Sequence, residues 1–165
     1  MKLPTFILLL VALCACTARE TNHAVDCLSS GDQAAYVRQP HPSCAQAVEG
    51  KCFSLEAPAG SHVDLGPYAH EMQIVVQSHW QVPQHAMAHG FRGWVELCFT
   101  VLGDGTITDI TVGHFSGCSF FDQAAIDALR TSSRELPLPS GFTAPHLKGH
   151  FRFFYNMPGE ECGGA

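Results

Sequence analysis

Apolar and polar positions alternate along Gly93–Val112 (GWVELCFTVLGDGTITDITV), with Val95, Leu97, Phe99 and Val101 on one side and Trp94, Glu96, Cys98 and Thr100 on the other. A period of two predicts a strand with one buried face. Gly103-Asp104-Gly105 offers the positive φ angles of a tight turn. The β-branched run Thr106–Val112 then predicts a returning strand. Downstream, Phe121, Ala125, Ile126 and Leu129 recur at helical spacing and predict a helix over Phe121–Arg130, with Ser119 as its N-cap. Pro137-Leu138-Pro139 breaks the chain, after which Leu147, Gly149, Phe151, Phe153 and Tyr155 share one face of a third strand. Upstream, Tyr68, Met72, Val75, Val76 and His79 or Trp80 predict an amphipathic helix over Tyr68–Val82, opened by Pro67 and closed by Pro83.

The expected fold is α+β, in the order α-β-β-α-β. Two helices pack on one face of a three-stranded antiparallel sheet. The second helix carries the crossover, so the third strand pairs with the first and becomes a sheet edge. Gln84–Gly90 reads as a loop between Pro83 and the hairpin. Cys27–Pro67 holds short helical stretches at Asp32–Arg38 and Ala45–Glu49, interrupted by Pro40 and Pro42, and a Pro- and Gly-containing loop at Ala57–Gly66. It is expected to be irregular, pinned by cysteines and suited to cap the open sheet face.

The order of these motifs resembles the C-terminal domain of TonB and TolA. The resemblance rests on Tyr68, Trp80–Pro83 (W-x-x-P), the Gly93–Val112 hairpin, Ser116-Gly117, FDQAAIDALR at 121–130, Pro137-Leu138-Pro139 and the final aromatic strand, and it spans about Tyr68–Asn156. It implies a module that engages an envelope protein or peptide. An open sheet edge would take up an extended partner strand through main-chain hydrogen bonds. The edge expected to do so is His146–Asn156, with His150, Arg152, Phe154 and Asn156 as contacts. The energy transducers of that family carry a membrane helix and a long spacer. Only about 50 residues separate Cys16 from Tyr68 here. The expectation is a stand-alone accessory or scaffold rather than a transmitter of proton-motive force.

Composition narrows the setting. The chain has 165 residues, 46% apolar and 15% charged, with a formal net charge of −6. That suits one domain with a tail and argues against general disorder. The absence of any basic run leaves nucleic-acid binding without an electrostatic footprint. Lys2 and the apolar run Phe6–Ala15 fit a secretory signal, too short to span a bilayer. Leu13-Cys14-Ala15-Cys16 resembles a bacterial lipobox, so Cys16 is the expected lipidation site, and Thr17 after it points to the periplasmic side of the outer membrane. The expected division is a signal peptide at 1–15, a lipid-attached tether and cysteine-containing segment at 16–67, the TonB/TolA-like domain at 68–156 and a tail at 157–165.

Six cysteines remain after such processing: Cys27, Cys44, Cys52, Cys98, Cys118 and Cys162. An even count in an exported chain predicts disulfides, and six cysteines allow 15 pairings. At least one bridge is expected to tie the upstream segment or the tail to the core. Zinc is the rival use, but no C-x-x-C pair is present.

No cofactor is expected, and no enzymatic activity. Of ten histidines, His79, His85, His89 and His114 cluster around the hairpin, while His146 and His150 alternate along the last strand with side chains outward. His85 and His89 would share a face only on a helix. Surface histidine is the plain reading, and a weak metal site the alternative. Ser116, Cys118 and His114 lie close in sequence, but a nucleophilic cysteine needs a free thiol and an oriented base. Asp104, Asp109, Asp122 and Asp127 are accounted for by a turn, a first helical turn and solvated faces. Trp94 falls on the face away from the helices. Either segment 27–66 covers it or it meets a partner. The remaining alternative is a structural or self-associating envelope lipoprotein whose sheet edge is covered by its own cysteine-containing segment.

Overall fold

The computed structural model describes Cys27 and residues 52–56, 58–59 and 62–157. Its elements are β1 (Phe53–Glu56), α1 (Gly66–His79), α2 (Gln84–Ala88), β2 (Gly93–Leu102), β3 (Ile107–His114), α3 (Ser119–Thr131) and β4 (His146–Tyr155). The four strands form one antiparallel sheet in the order β1-β4-β2-β3. The fold is α+β, as the periodicities predict, with one strand and one helix more than expected.

The hydrophobic alternation sets the core. Val95, Leu97 and Val101 of β2 and Leu147, Phe153 and Tyr155 of β4 are fully buried. They pack under Tyr68, Met72 and Val76 of α1 and Phe121, Ala125, Ala128 and Leu129 of α3. Ile126, expected in that stripe, is only partly buried. Each fully buried side chain of this size contributes about 1.5–3 kcal/mol, so the β2–β4 pair carries much of the stability.

Local chemistry fixes the connections. Pro67 stands in the first turn of α1, where its missing N–H costs nothing. Asp64 Oδ1 accepts the Gly66 N–H at 2.9 Å. In the hairpin turn Asp104 Oδ1 accepts the Thr106 N–H at 2.9 Å, and Gly105 has φ 81°. A Cβ on Gly105 would stand 2.6 Å from the Leu136 carbonyl oxygen. Arg134 N–H donates to Gly105 O at 2.8 Å and Leu138 N–H to Gly103 O at 3.2 Å. The Pro-Leu-Pro segment is therefore clamped against the turn.

Several expectations change. The strand His146–Tyr155 is not an edge: Phe53–Glu56, expected to be irregular, pairs with it on the side away from β2. Four residues of F-S-L-E alternation are too few to signal a strand on their own. Gln84–Ala88 is a short helix rather than a loop, with Pro83 at its N-cap, a position that needs no N–H donor. α1 ends at His79, before Val82. Cys118, not Ser119, is the N-cap of α3.

Candidate functional site

The sheet face opposite the helices is a continuous band of polar and aromatic side chains. Register places Trp94 opposite Phe154, Glu96 opposite Arg152, Cys98 opposite His150, and Ser54 on the other flank of His150. Alternation sends all of these to the face that the core does not use. The band divides into an aromatic end and a buried polar middle.

At the aromatic end, Trp94 lies between two partners. The His114 ring stacks on it at 3.6 Å between centroids and 2° between planes, and His114 Nδ1 is 3.0 Å from the Trp94 carbonyl oxygen. The Arg152 guanidinium lies 5.4 Å from the Trp94 ring centroid, within cation–π range. Phe154 stacks at 6.3 Å. Trp94, His114, Arg152 and Phe154 are all partly exposed.

In the middle, Arg152 Nε donates to Glu96 Oε1 at 3.0 Å. The pair is largely desolvated, with side-chain exposures of 19% and 10%, so neither charge can be removed without stranding the other. His150 is 5% exposed, not the surface histidine that alternation suggested. Its Nε2 lies 2.6 Å from Glu56 Oε1 and its Nδ1 3.3 Å from Cys98 Sγ. Asn156, at φ 51°, donates through Nδ2 to the carbonyls of Met87 (3.1 Å) and Phe91 (2.7 Å). It fastens α2 and the chain after it to the end of β4.

The cysteines are oxidised where they are described. Cys27, Cys52, Cys98 and Cys118 are disulfide-bonded, and Cys27 pairs with Cys118 across 91 residues. That bridge ties the upstream segment to the start of α3, and Cys118 has no thiol to offer as a nucleophile. Ser116 is engaged too: its Oγ lies 2.8 Å from Asp122 Oδ1, which also accepts the Ser116 N–H at 2.9 Å. Asp122 stands in the first turn of α3, as expected, and is buried there as a fastener of the helix start. Among the described residues no group of three or more His, Cys, Asp or Glu is placed to hold a metal ion. His85 and His89 do come together on α2, with ring centroids 4.3 Å apart, because the segment is helical after all. No described helix is long and apolar enough to cross a membrane. Cys16, Cys44 and Cys162 lie outside the described residues.

Of the five residues expected to meet a partner, Trp94, Arg152 and Phe154 gather at one end of the band. His150 and Asn156 face inward to contacts of their own. Sequence reading missed Glu96 as the ion-pair partner of Arg152 and Glu56 as the hydrogen-bond partner of His150. Register alone would have exposed the first. The second needed β1.

Residues 78–157 match the family described as Gram-negative bacterial TonB protein C-terminal. The chain is 30% identical over 78 residues to Protein TonB of Helicobacter pylori, covering 47% of this chain and 27% of that protein. It is 31% identical over 87 residues to Protein TonB of Haemophilus influenzae, covering 51% and 32%. The chain thus spans about a third or less of the length of these relatives. Among solved structures, the solution structure of the Helicobacter pylori TonB C-terminal domain aligns with a TM-score of 0.49 at 23% identity, over 58% of this chain and 85% of that one. TolAIII bound to a peptide derived from the N-terminus of TolB aligns at 0.41 and 27% identity, over 59% and 78%.

Proposed function

The domain built on residues 78–157 belongs to the TonB C-terminal family, and from that premise we propose that this chain is a non-enzymatic protein-binding module of the cell envelope. It is held on the periplasmic side of the outer membrane by a lipid on Cys16 and docks a periplasmic protein or peptide. The observation that supports docking most directly is the aromatic end of the open sheet face. Trp94, with the His114 ring stacked on it, the Arg152 guanidinium of the Arg152–Glu96 pair against it and Phe154 alongside, presents a partly exposed, rigid ring. Aromatic residues and arginine are the side chains that dominate binding energy at protein interfaces.

Photo-crosslinking in the native cell tests this reading. A photoreactive residue at position 154, and separately at exposed Leu102 as a control, would be activated in cells that carry the full chain. A discrete partner captured from position 154, absent from position 102 and lost when Trp94 is changed to Ala, is the expected result. No capture, or self-crosslinks alone, would overturn it.

A second reading has its own support. β1 covers the outer side of β4, which favours a closed, structural domain whose sheet edge is occupied by its own cysteine-containing segment.

A further inference from the structure

We infer that Cys98, His150 and Glu56 form a thiol–disulfide exchange site in the middle of the open sheet face, at which a dithiol reduces the Cys98 bridge ahead of the Cys27–Cys118 bridge. The inference is independent of the docking reading. It uses no residue of the aromatic end, and it asks for one stoichiometric exchange rather than catalytic turnover.

The three side chains come from three neighbouring strands. His150 stands on β4, with Cys98 of β2 opposite it on one side and β1 on the other. Its Nδ1 lies 3.3 Å from Cys98 Sγ and its Nε2 2.6 Å from Glu56 Oε1. Sulfur, imidazole and carboxylate in that order are the parts of an activated thiol with an oriented base, although here the sulfur is bonded. Proton counting fixes the roles. A disulfide sulfur carries no hydrogen, so the proton of the first contact is on Nδ1, which donates to Sγ. The second contact also needs a proton between its nitrogen and its oxygen. The line therefore holds two protons, one of them aimed at the sulfur. Cys98 and His150 are both buried, so water does not compete for that hydrogen bond.

Exchange begins when a thiolate of the dithiol attacks the sulfur bonded to Cys98. A new S–S bond joins the dithiol to that sulfur, the old bond breaks, and its electron pair leaves on Cys98 Sγ. His150 Nδ1–H protonates this thiolate, and the proton is replaced from solvent through Glu56, whose side chain is 37% exposed. The second thiolate of the dithiol attacks the mixed disulfide and expels the other cysteine, which takes a proton from water. The dithiol is oxidised to a disulfide, the protein is reduced to two thiols, and the two protons that the dithiol sheds match the two taken up. A better stabilised leaving thiolate departs faster, and a proton donor beside the sulfur stabilises it. The attack falls on the other sulfur, so the burial of Cys98 does not bar it. The Cys27–Cys118 bridge has different surroundings. Both of its cysteines belong to the apolar core, whereas Cys98 is buried outside it, and apolar surroundings oppose a thiolate.

The test is a time course of reduction of the oxidised full chain, with dithiothreitol as the dithiol. Samples are quenched in acid, unfolded and alkylated, and the alkylation of Cys98 and Cys118 is read by mass spectrometry. Cys98 should open at least about fivefold faster than Cys118, from the better leaving thiolate. His150→Leu removes the donor and keeps an apolar filler. It should slow Cys98 by a similar factor and leave Cys118 no slower. That direction separates the proposal from a structural role, since a substitution that only loosened the fold would speed the opening of both bridges. Should His150→Leu not fold, Glu56→Gln carries the same comparison, with a smaller slowing of Cys98 expected. Reduction of Cys98 no faster than Cys118 in the wild type would overturn the proposal. So would a lead of Cys98 that survives unchanged in the variant, because exposure of the bridge alone would then explain it.

Discussion

Tyr155 brings its phenol into the core with both hydrogen-bonding roles filled: Trp80 Nε1 donates to it at 2.9 Å and it donates to the Phe121 carbonyl at 2.9 Å. Phe121 stacks on its ring at 4.1 Å, and Trp80 meets it edge-on. Burial raises its pKa strongly, partly offset by the Trp80 hydrogen bond and assisted by the Asp122 charge. Tyr68, whose hydroxyl donates to the Leu136 carbonyl at 3.2 Å, is pushed up to about 12, first by burial and then by Glu71. The sign of the pH dependence follows. Unfolded tyrosines lose their protons near 10, while the folded pair keeps them, so between those values the folded state binds more protons. Stability from the neutral phenols is therefore complete below pH 10 and is lost as pH rises from 10 through about 12. A urea midpoint that falls between pH 9 and pH 11, with tyrosinate absorbance lagging in the folded chain, is expected. Full ionisation by pH 11 without unfolding would contradict the burial of both hydroxyls. The aromatic W-x-x-P and the last strand were visible in the sequence, but not that Trp80 and Tyr155 share a hydrogen bond. That pairing depends on how the end of α1 meets the end of β4.

At the level of elements, the strongly periodic segments were the legible ones. β2, β3, α3 and β4 each carry enough repeats of a two- or 3.6-residue pattern to declare themselves, and Val95, Leu97, Val101, Ile107, Phe121, Ala125, Leu129, Leu147, Phe153 and Tyr155 are buried as those patterns predict. α2 and β1 carry five and four residues, fewer than two periods of a helix or a few of a strand, and each is held by a neighbour rather than by its own pattern. For α2 that neighbour is Asn156. Its Nδ2 bridges the Met87 and Phe91 carbonyls, so α2 is fastened to β4 from a residue 65–69 positions away. Asn156→Ala should then cost about 1–3 kcal/mol, since two acceptors lose a donor and alanine is strained at φ 51°. Hydrogen exchange should locate the damage: amides of residues 86–91 speed up while those of β2 keep global protection. Uniform acceleration across the sheet would mean that Asn156 supports the core and not the α2 segment. The same dependence on a neighbour explains the displaced candidate site. His146–Tyr155 was recognisable as a strand, but its edge status depended on β1, which was not.

At the scale of the molecule, the charged and aromatic open face and the apolar helix-covered face are two products of one alternation, and the chain upstream of the family match is drawn into both. β1 extends the sheet beside β4, and Cys27 is bonded to Cys118 at the start of α3. Paired cysteines were foreseeable from the even count that the expected removal of residues 1–15 leaves. Which ones pair was not, because 15 connectivities fit the same count, and only the fold brings Cys27 to Cys118. A bridge that closes a loop of 91 residues removes much freedom from the unfolded chain, and native bridges of this kind are typically worth about 2–4 kcal/mol. Changing Cys27 and Cys118 together to Ser should therefore lower the urea stability of the oxidised protein by that amount, with circular dichroism of the folded state preserved. β1 pairs with β4, whereas the bridge joins the N-cap of α3, so exchange rates at Phe151 and Arg152 should change no more than the global stability does. A larger change there would show that the two upstream attachments are coupled through the segment between them. A loss below about 0.5 kcal/mol would mean that the unfolded chain is already constrained by its other disulfides.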